Sequence, residues 1–109
     1  MSPLSTHVLD TVRGEPASGV LVRLERGGGG ELGRGVTDSD GRITDFGVAE
    51  LPEGIYRLVF ETGPYLRGSG DDSPFFPEIV VTFAADGQRP RYHVPLLLSP
   101  FSYSTYRGS

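Results

Sequence analysis

The sequence predicts an all-β fold for this 109-residue chain. Short runs rich in Val, Ile, Leu, Phe and Tyr alternate with polar residues at a period of two, as in strands with one face in a core. The 16 glycines and 9 prolines mark turns and leave little room for a long helix. We expect eight short strands in one domain, residues 1–109, with two antiparallel sheets packed face to face.

Four of the expected strands lie in the N-terminal half. The first spans residues 4–10. The second is predicted over 20–25, where Val20, Val22 and Leu24 alternate with Leu21, Arg23 and Glu25. The third spans 31–37, and a short return strand spans 42–46. An Asp-Gly pair at 40–41 separates these two, and both residue types tolerate the positive φ of a tight turn.

The fifth expected strand, residues 55–61, is followed by the one candidate helix. Residues 62–67 are expected to form a single helical turn. Thr62 is a candidate N-cap, and the proline at position 64 is tolerated near a helix start.

Three further strands are expected over residues 75–84, 91–99 and 101–107. In the middle one the apolar side chains share a face, so His93 lies on the opposite face. The other histidine, His7, belongs to the first expected strand. If the strands at the two ends of the chain pair, both imidazoles meet.

Composition argues against several classes of function. The net charge of −4 and the pI near 5.0 disfavour nucleic acid as a partner. The chain has no cysteine, and therefore neither disulfides nor thiolate chemistry. Neither a leader nor an apolar run of spanning length is apparent, so we expect a cytoplasmic protein without a membrane partner. The glycine run at 27–30 lacks a following Lys-Ser/Thr pair, which indicates a hairpin tip rather than a phosphate loop.

Few side chains in the sequence could bind a metal or take part in catalysis. Two histidines, no cysteine and no carboxylates in tight ligand spacing offer too little for a metal site. No serine lies on a recognisable nucleophile elbow. Two imidazoles and an arginine suit the addition of water to a polarised carbonyl. The alternative is that both histidines are partly buried structural groups.

Five segments carry a specific set of motifs in order along the chain. They are Ser-Thr-His-Val-Leu-Asp-Thr at 5–11, Thr-Asp-Ser-Asp-Gly-Arg at 37–42, Phe-Phe-Pro-Glu at 75–78, Tyr-His-Val-Pro-Leu-Leu-Leu-Ser-Pro at 92–100 and Tyr-Arg-Gly-Ser at 106–109. Together they resemble the 5-hydroxyisourate hydrolases, the transthyretin-related enzymes of urate breakdown. The resemblance covers nearly the whole chain.

This resemblance implies a transthyretin-like sandwich of two four-stranded antiparallel sheets with one short helix after the fifth strand. It implies a homotetramer whose active sites lie in a channel between dimers. The implied reaction is the hydrolysis of 5-hydroxyisourate to 2-oxo-4-hydroxy-4-carboxy-5-ureidoimidazoline, a step of purine degradation that opens a cyclic amide and needs no cofactor.

The catalytic residues implied by the resemblance are His7, Arg42 and His93. Either histidine takes a proton from water, while Arg42 binds ring oxygens and stabilises the oxyanion. The arginine's charge is also expected to lower the histidine pKa and keep the base neutral near pH 7. The implied substrate-binding residues are His7, Arg42, Tyr106, Arg107, Gly108 and Ser109.

Two questions remain open from sequence. The first is the role of Tyr106 and Ser109, which either contact substrate or only hold the closing strand.

The second question is the function itself. A transthyretin-like carrier that binds a small molecule without chemistry is the second candidate function, and a β-sandwich accessory module is the third. A polar lining of histidines and an arginine disfavours a carrier of apolar ligands.

Overall fold

The computed structural model describes residues 2–108. Within them, nine strands and one helix follow each other along the chain. The strands are β1 (Leu4–Asp10), β2 (Glu15–Pro16), β3 (Leu21–Arg26), β4 (Glu31–Val36), β5 (Arg42–Ile43), β6 (Gly54–Glu61), β7 (Ile79–Ala85), β8 (Tyr92–Leu98) and β9 (Tyr103–Thr105), and the helix α1 is Thr62–Gly68. The predicted all-β fold with one short helix is confirmed.

The strands form two sheets. One has the order β2-β1-β8-β9, with β5 also paired to β1, and the other has the order β4-β3-β6-β7. The prediction of fully antiparallel sheets is wrong for one pair, because β1 and β8 run parallel in register from Leu4 opposite Tyr92 to Asp10 opposite Leu98. These strands come from opposite ends of the chain, so no tight hairpin fixes their direction. The alternation of apolar and polar residues within a strand does not indicate whether the strand runs parallel or antiparallel to its neighbour.

Several strands are shorter than their patterns predict. The strand expected over 42–46 ends at Ile43, because the chain then turns to bury Phe46. This turn brings the Phe46 carbonyl against Gly33 of β4. A Cβ at position 33 would lie 1.9 Å from the carbonyl oxygen, so only glycine leaves room for the turn. The strand expected from 75 begins only at Ile79, after Pro77, which cannot donate to a ladder.

Two further differences concern the edges of the first sheet. β9 covers only Tyr103–Thr105 of the expected 101–107, because residues 99–102 close a turn in which the Ser99 amide donates to the Ser102 carbonyl. β2 was not predicted. It is a two-residue edge strand containing Pro16, too short for a pattern and placed where proline is tolerated.

The core lies between the two sheets. Its largest fully buried side chains are Tyr56, Phe46 and Phe60, and fully burying a large apolar side chain contributes about 1.5–3 kcal/mol. β1 alternates between buried and half-buried residues along its whole length. One face of β1 therefore joins the core, and the other is left for the outer surface of the sheet.

The helix begins as predicted at Thr62, but the expected cap is wrong. Glu61 is the N-cap residue and makes no side-chain cap bond. The Thr62 hydroxyl is buried and donates instead to the Phe76 carbonyl, which ties the helix to the segment before β7. No helix in residues 2–108 has the length and hydropathy needed to cross a membrane.

Candidate active site

Strand pairing brings both histidines and Arg42 to one face of the first sheet. In the β1–β8 register Ser5 lies opposite His93, and in the β1–β5 register His7 lies opposite Arg42. Residues paired across a sheet, and residues two apart on one strand, share a face. Thr6 on β1 is fully buried in the opposite direction. The four side chains therefore face outward together, because the strands that carry the two histidines pair with each other.

A turn ahead of β5 places Arg42. The Asp38 carboxylate accepts the backbone amides of Asp40 and Arg42 at 2.8 and 3.0 Å. Gly41 has φ of 74°, the left-handed conformation that the Asp-Gly signal predicts. The Gly41 carbonyl then accepts the Val8 amide at 2.7 Å. This turn docks β5 against β1 and brings Arg42 beside His7.

One edge of the His93 ring is held by a serine. The Ser5 hydroxyl lies 2.8 Å from Nδ1 of His93, in a half-buried position. Sequence reasoning did not single out Ser5, although it stands two residues before His7 and so shares its face. The contact between Ser5 and His93 can be inferred only when the pairing of β1 with β8 is known.

The pKa of His93 lies below its ordinary value of 6.5. Burial is the largest cause, followed by the positive charges of His7 and Arg42, and a hydrogen bond with the Ser5 backbone acts in the opposite direction. The predicted effect of Arg42 on a histidine pKa has the correct sign, but desolvation contributes more. His93 is therefore held neutral at pH 7.

The C-terminal segment covers the other edge of the His93 ring. The Gly108 amide donates to the His93 carbonyl at 2.8 Å, and the two residues form an isolated antiparallel bridge. A Cβ on Gly108 would lie 2.5 Å from Cδ2 of His93. Glycine is thus the residue that lets the chain pass this close to the imidazole. Ser109 lies outside the described residues.

Two cavities meet at His93. An open groove of about 550 Å³ is walled by Ser5, Arg42 and His93 and by the loop at 88–91, which adds two more arginines. A second cavity of about 240 Å³ lies beside the exposed Tyr106 and Arg107. His7 lines neither cavity, although it shares the outer face of the sheet. The structure thus gathers His7, Arg42, His93 and Gly108, and places Tyr106 and Arg107 in the second cavity that His93 lines.

The sequence of the chain is matched by the model of a known family. The model of the HIUase/Transthyretin family matches residues 4–108. The chain belongs to the HIUase/Transthyretin family. The transthyretin-like sandwich expected from the motifs is thereby confirmed.

Individual members of the HIUase/Transthyretin family resemble the chain along its whole length. The 5-hydroxyisourate hydrolase of Caulobacter vibrioides is 44% identical over 115 residues, which cover 100% of both chains. The structure of Klebsiella pneumoniae 5-hydroxyisourate hydrolase superposes with a TM-score of 0.87 at 43% identity, covering 100% of this chain and 94% of the other. Sea bream transthyretin in complex with thyroxine gives 0.88 at 36% identity, covering 97% and 94%.

Proposed function

We propose that this chain is a 5-hydroxyisourate hydrolase acting in urate degradation. The observation that carries the proposal is the placement of a neutral, partly buried His93 next to His7 and Arg42 on one outward sheet face. A neutral imidazole takes up a proton, and a fixed guanidinium stabilises an anion. Relatives that match the full length of the chain carry the same activity in their names.

In the proposed mechanism His93 is the general base. Water attacks the carbonyl carbon of the ring amide, and Nε2 of His93 takes one water proton as the C–O bond forms. The carbonyl oxygen becomes an oxyanion facing Arg42, whose charge stabilises it. The tetrahedral intermediate collapses, the ring C–N bond breaks, and the departing nitrogen takes the proton back from the imidazolium. The product is 2-oxo-4-hydroxy-4-carboxy-5-ureidoimidazoline, and His93 returns to its neutral form.

His93 is preferred over His7 as the base because both edges of its ring are fixed. Ser5 holds Nδ1, and Gly108 packs against Cδ2. Nε2 is at the distal end of the ring and stays available to water. We assign His7 to substrate binding and to the charge that helps to keep His93 neutral.

We propose that the C-terminal residues complete the substrate pocket. Tyr106 and Arg107 wall the cavity next to His93, and their side chains are exposed to a ligand. Gly108 keeps the tail close to β8. Ser109 remains a predicted substrate contact beyond the described residues.

Gly108→Ala is expected to reduce turnover while leaving the sandwich intact. The new methyl group would overlap Cδ2 of His93, so the ring or the tail must shift. A catalytic group displaced by about 1 Å costs up to roughly 10²-fold in rate. The measurement is kcat for the variant, with Gly28→Ala as the matched control, because a Cβ at Gly28 meets no atom within 4 Å. Equal kcat values for Gly108→Ala and wild type would contradict the contact.

The pH dependence of kcat/KM is expected to reflect the lowered pKa of His93. The base acts in its neutral form, so activity is present above the folded-state pKa and is lost as the pH falls through it. Because burial and the charges of His7 and Arg42 lower this pKa, the acid limb should lie below 6.5. Removing the charge in Arg42→Gln should move the limb upward. An acid limb above 6.5 in the wild type would contradict His93 as the base.

We propose a homotetramer with the active sites in a channel between dimers. The proposal is supported by an open groove on the outer face of the first sheet and by Tyr106, which is 57% exposed in the second cavity that His93 lines. Another copy facing this groove would close it. Sedimentation equilibrium tests the assembly, and a monomer with full activity would contradict it. A cytoplasmic location remains a prediction, which cell fractionation tests.

A small-molecule carrier is the second candidate function. It is favoured by the likeness to sea bream transthyretin, whose structure holds thyroxine. Against it, the groove beside His93 is walled by three arginines, Arg42, Arg89 and Arg91. Decay of 5-hydroxyisourate with and without the protein separates the two functions, since a carrier leaves the spontaneous rate unchanged.

A further inference from the structure

Ser5 is the one side chain that forms a hydrogen bond with the His93 ring among residues 2–108. Its hydroxyl lies 2.8 Å from Nδ1, and the two residues are direct partners in the β1–β8 register. Seven paired positions fix this register, so the serine cannot slide relative to the ring. The contact is therefore built into the sheet.

The direction of this hydrogen bond decides what His93 can do. A neutral imidazole carries one N–H and one lone pair, and the partner of one nitrogen selects the role of the other. If the Ser5 hydroxyl accepts, Nδ1 carries the proton and Nε2 offers a lone pair to water. If the hydroxyl donates, the proton sits on Nε2, and the ring presents only an N–H donor to the groove.

The proposed role of His93 resolves this choice. A general base must present its lone pair to water at Nε2, so Nδ1 must carry the proton. The Ser5 hydroxyl, 2.8 Å from Nδ1, then accepts the hydrogen bond of that N–H.

We propose that Ser5 is a positioning residue that holds His93 in the tautomer with its proton on Nδ1 and its lone pair on Nε2. This inference deepens the proposed function and rests on it. Ser5 itself does not exchange protons with water or substrate. It acts by keeping the basic nitrogen of His93 at the end of the ring that faces solvent.

Other groups near His93 supply charge but, among the described residues, do not replace this contact. His7 on β1 and Arg42 on β5 lower its pKa. Arg89 and Arg91 wall one cavity beside it, and Arg107 walls the other. The arginine side chains only donate, and His7 lies opposite Arg42 rather than His93, so among the described residues the Ser5 hydroxyl is the side chain that accepts from Nδ1–H.

The test compares Ser5→Ala with Ser5→Thr in the full chain. Ser5→Ala removes the hydroxyl, and we expect kcat to fall about tenfold with little change in KM. Ser5→Thr keeps the hydroxyl and suits a strand, so it should restore most of the rate. Thr11→Ala is the matched control. The hydroxyl of Thr11, the residue after β1, donates to the Leu98 carbonyl at the end of β8 at 3.1 Å, far from the ring.

A readout independent of turnover comes from the histidine nitrogens. The chain has two histidines, so a ¹⁵N-histidine sample gives two ring systems, which His7→Gln assigns. Above pH 8, wild-type His93 should show a protonated Nδ1 and an unprotonated Nε2, and Ser5→Ala should shift both toward a mixture of tautomers. A proton found on Nε2 of wild-type His93 overturns the inference, as does an unchanged kcat in Ser5→Ala.

The two proposals fail in different ways. If the wild type does not accelerate 5-hydroxyisourate decay, the proposed function fails, and the nitrogen shifts still report whether Ser5 sets the tautomer. If the wild type is active and Ser5→Ala matches it, only the role of Ser5 is overturned. Should Ser5→Ala fail to fold, the wild-type nitrogen shifts decide.

Discussion

Replacing His93 with alanine is expected to lower kcat by roughly 10²–10⁴-fold, the range that a positioned general base contributes. His93 has both edges of its ring fixed, one by Ser5 and one by Gly108, and burial keeps it neutral. No other described side chain combines these features. His7→Ala is expected to lower kcat by at least about tenfold, because the neighbouring imidazole binds substrate and adjusts the charge around the base.

Far-ultraviolet circular dichroism and thermal unfolding provide the controls for these two variants. Each histidine lies between two buried residues of its strand, so both side chains face away from the core and their removal leaves the core unchanged. Each variant should therefore keep the wild-type spectrum. Wild-type kcat in both His7→Ala and His93→Ala would refute histidine-assisted hydrolysis.

Replacing Arg42 with glutamine is expected to lower kcat by about 10²–10³-fold, the usual cost of losing one oxyanion donor. The turn at 38–41 places Arg42 opposite His7, and in the proposed mechanism its charge faces the carbonyl oxygen that develops negative charge. Arg42→Lys keeps the charge but loses the planar fork of donors, and should recover only part of the rate.

Arg34→Gln is the matched control for loss of one guanidinium. Arg34 pairs with Glu31 on β4, in the other sheet and on an exposed surface, where ion pairs contribute little. This variant should keep wild-type kcat and KM. An Arg42→Gln variant that raises KM at constant kcat would show that the arginine binds ground state and transition state equally, against a role in oxyanion stabilisation.

The elements that follow from local pattern were predictable from the sequence. Alternation located β1, β3, β6 and β8, and the Asp-Gly pair located the turn whose Gly41 has positive φ. The position of His93 opposite the apolar row of its strand also followed from the period of two. These features depend on neighbours within a few residues, which the sequence shows directly.

The features that depend on contacts between distant segments were not predictable. Nothing within β1 or β8 indicates that they pair in parallel, and the Ser5–His93 hydrogen bond joins residues 88 positions apart. The hydroxyl of Thr62 bonds to the Phe76 carbonyl rather than capping its helix, whose N-cap position is taken by Glu61. Arg89 and Arg91 enter the groove only because their loop folds back beside β1.

The approach of the C-terminal segment to His93 was likewise not predictable from local sequence pattern. The sequence motif pointed to residues 106–109 through resemblance alone. The physical reason for the glycine appears only in the fold, where Gly108 passes against the imidazole. Its φ is not positive, so the constraint is steric contact with His93 rather than backbone conformation.

The most direct test of the central claim is the decay of freshly generated 5-hydroxyisourate, made in place from urate and followed by ultraviolet absorbance. Wild-type protein should accelerate the decay, and His93→Ala at the same concentration should return it close to the spontaneous rate. Decay at the spontaneous rate with folded, assembled wild-type protein would contradict the hydrolase and make the carrier the leading function.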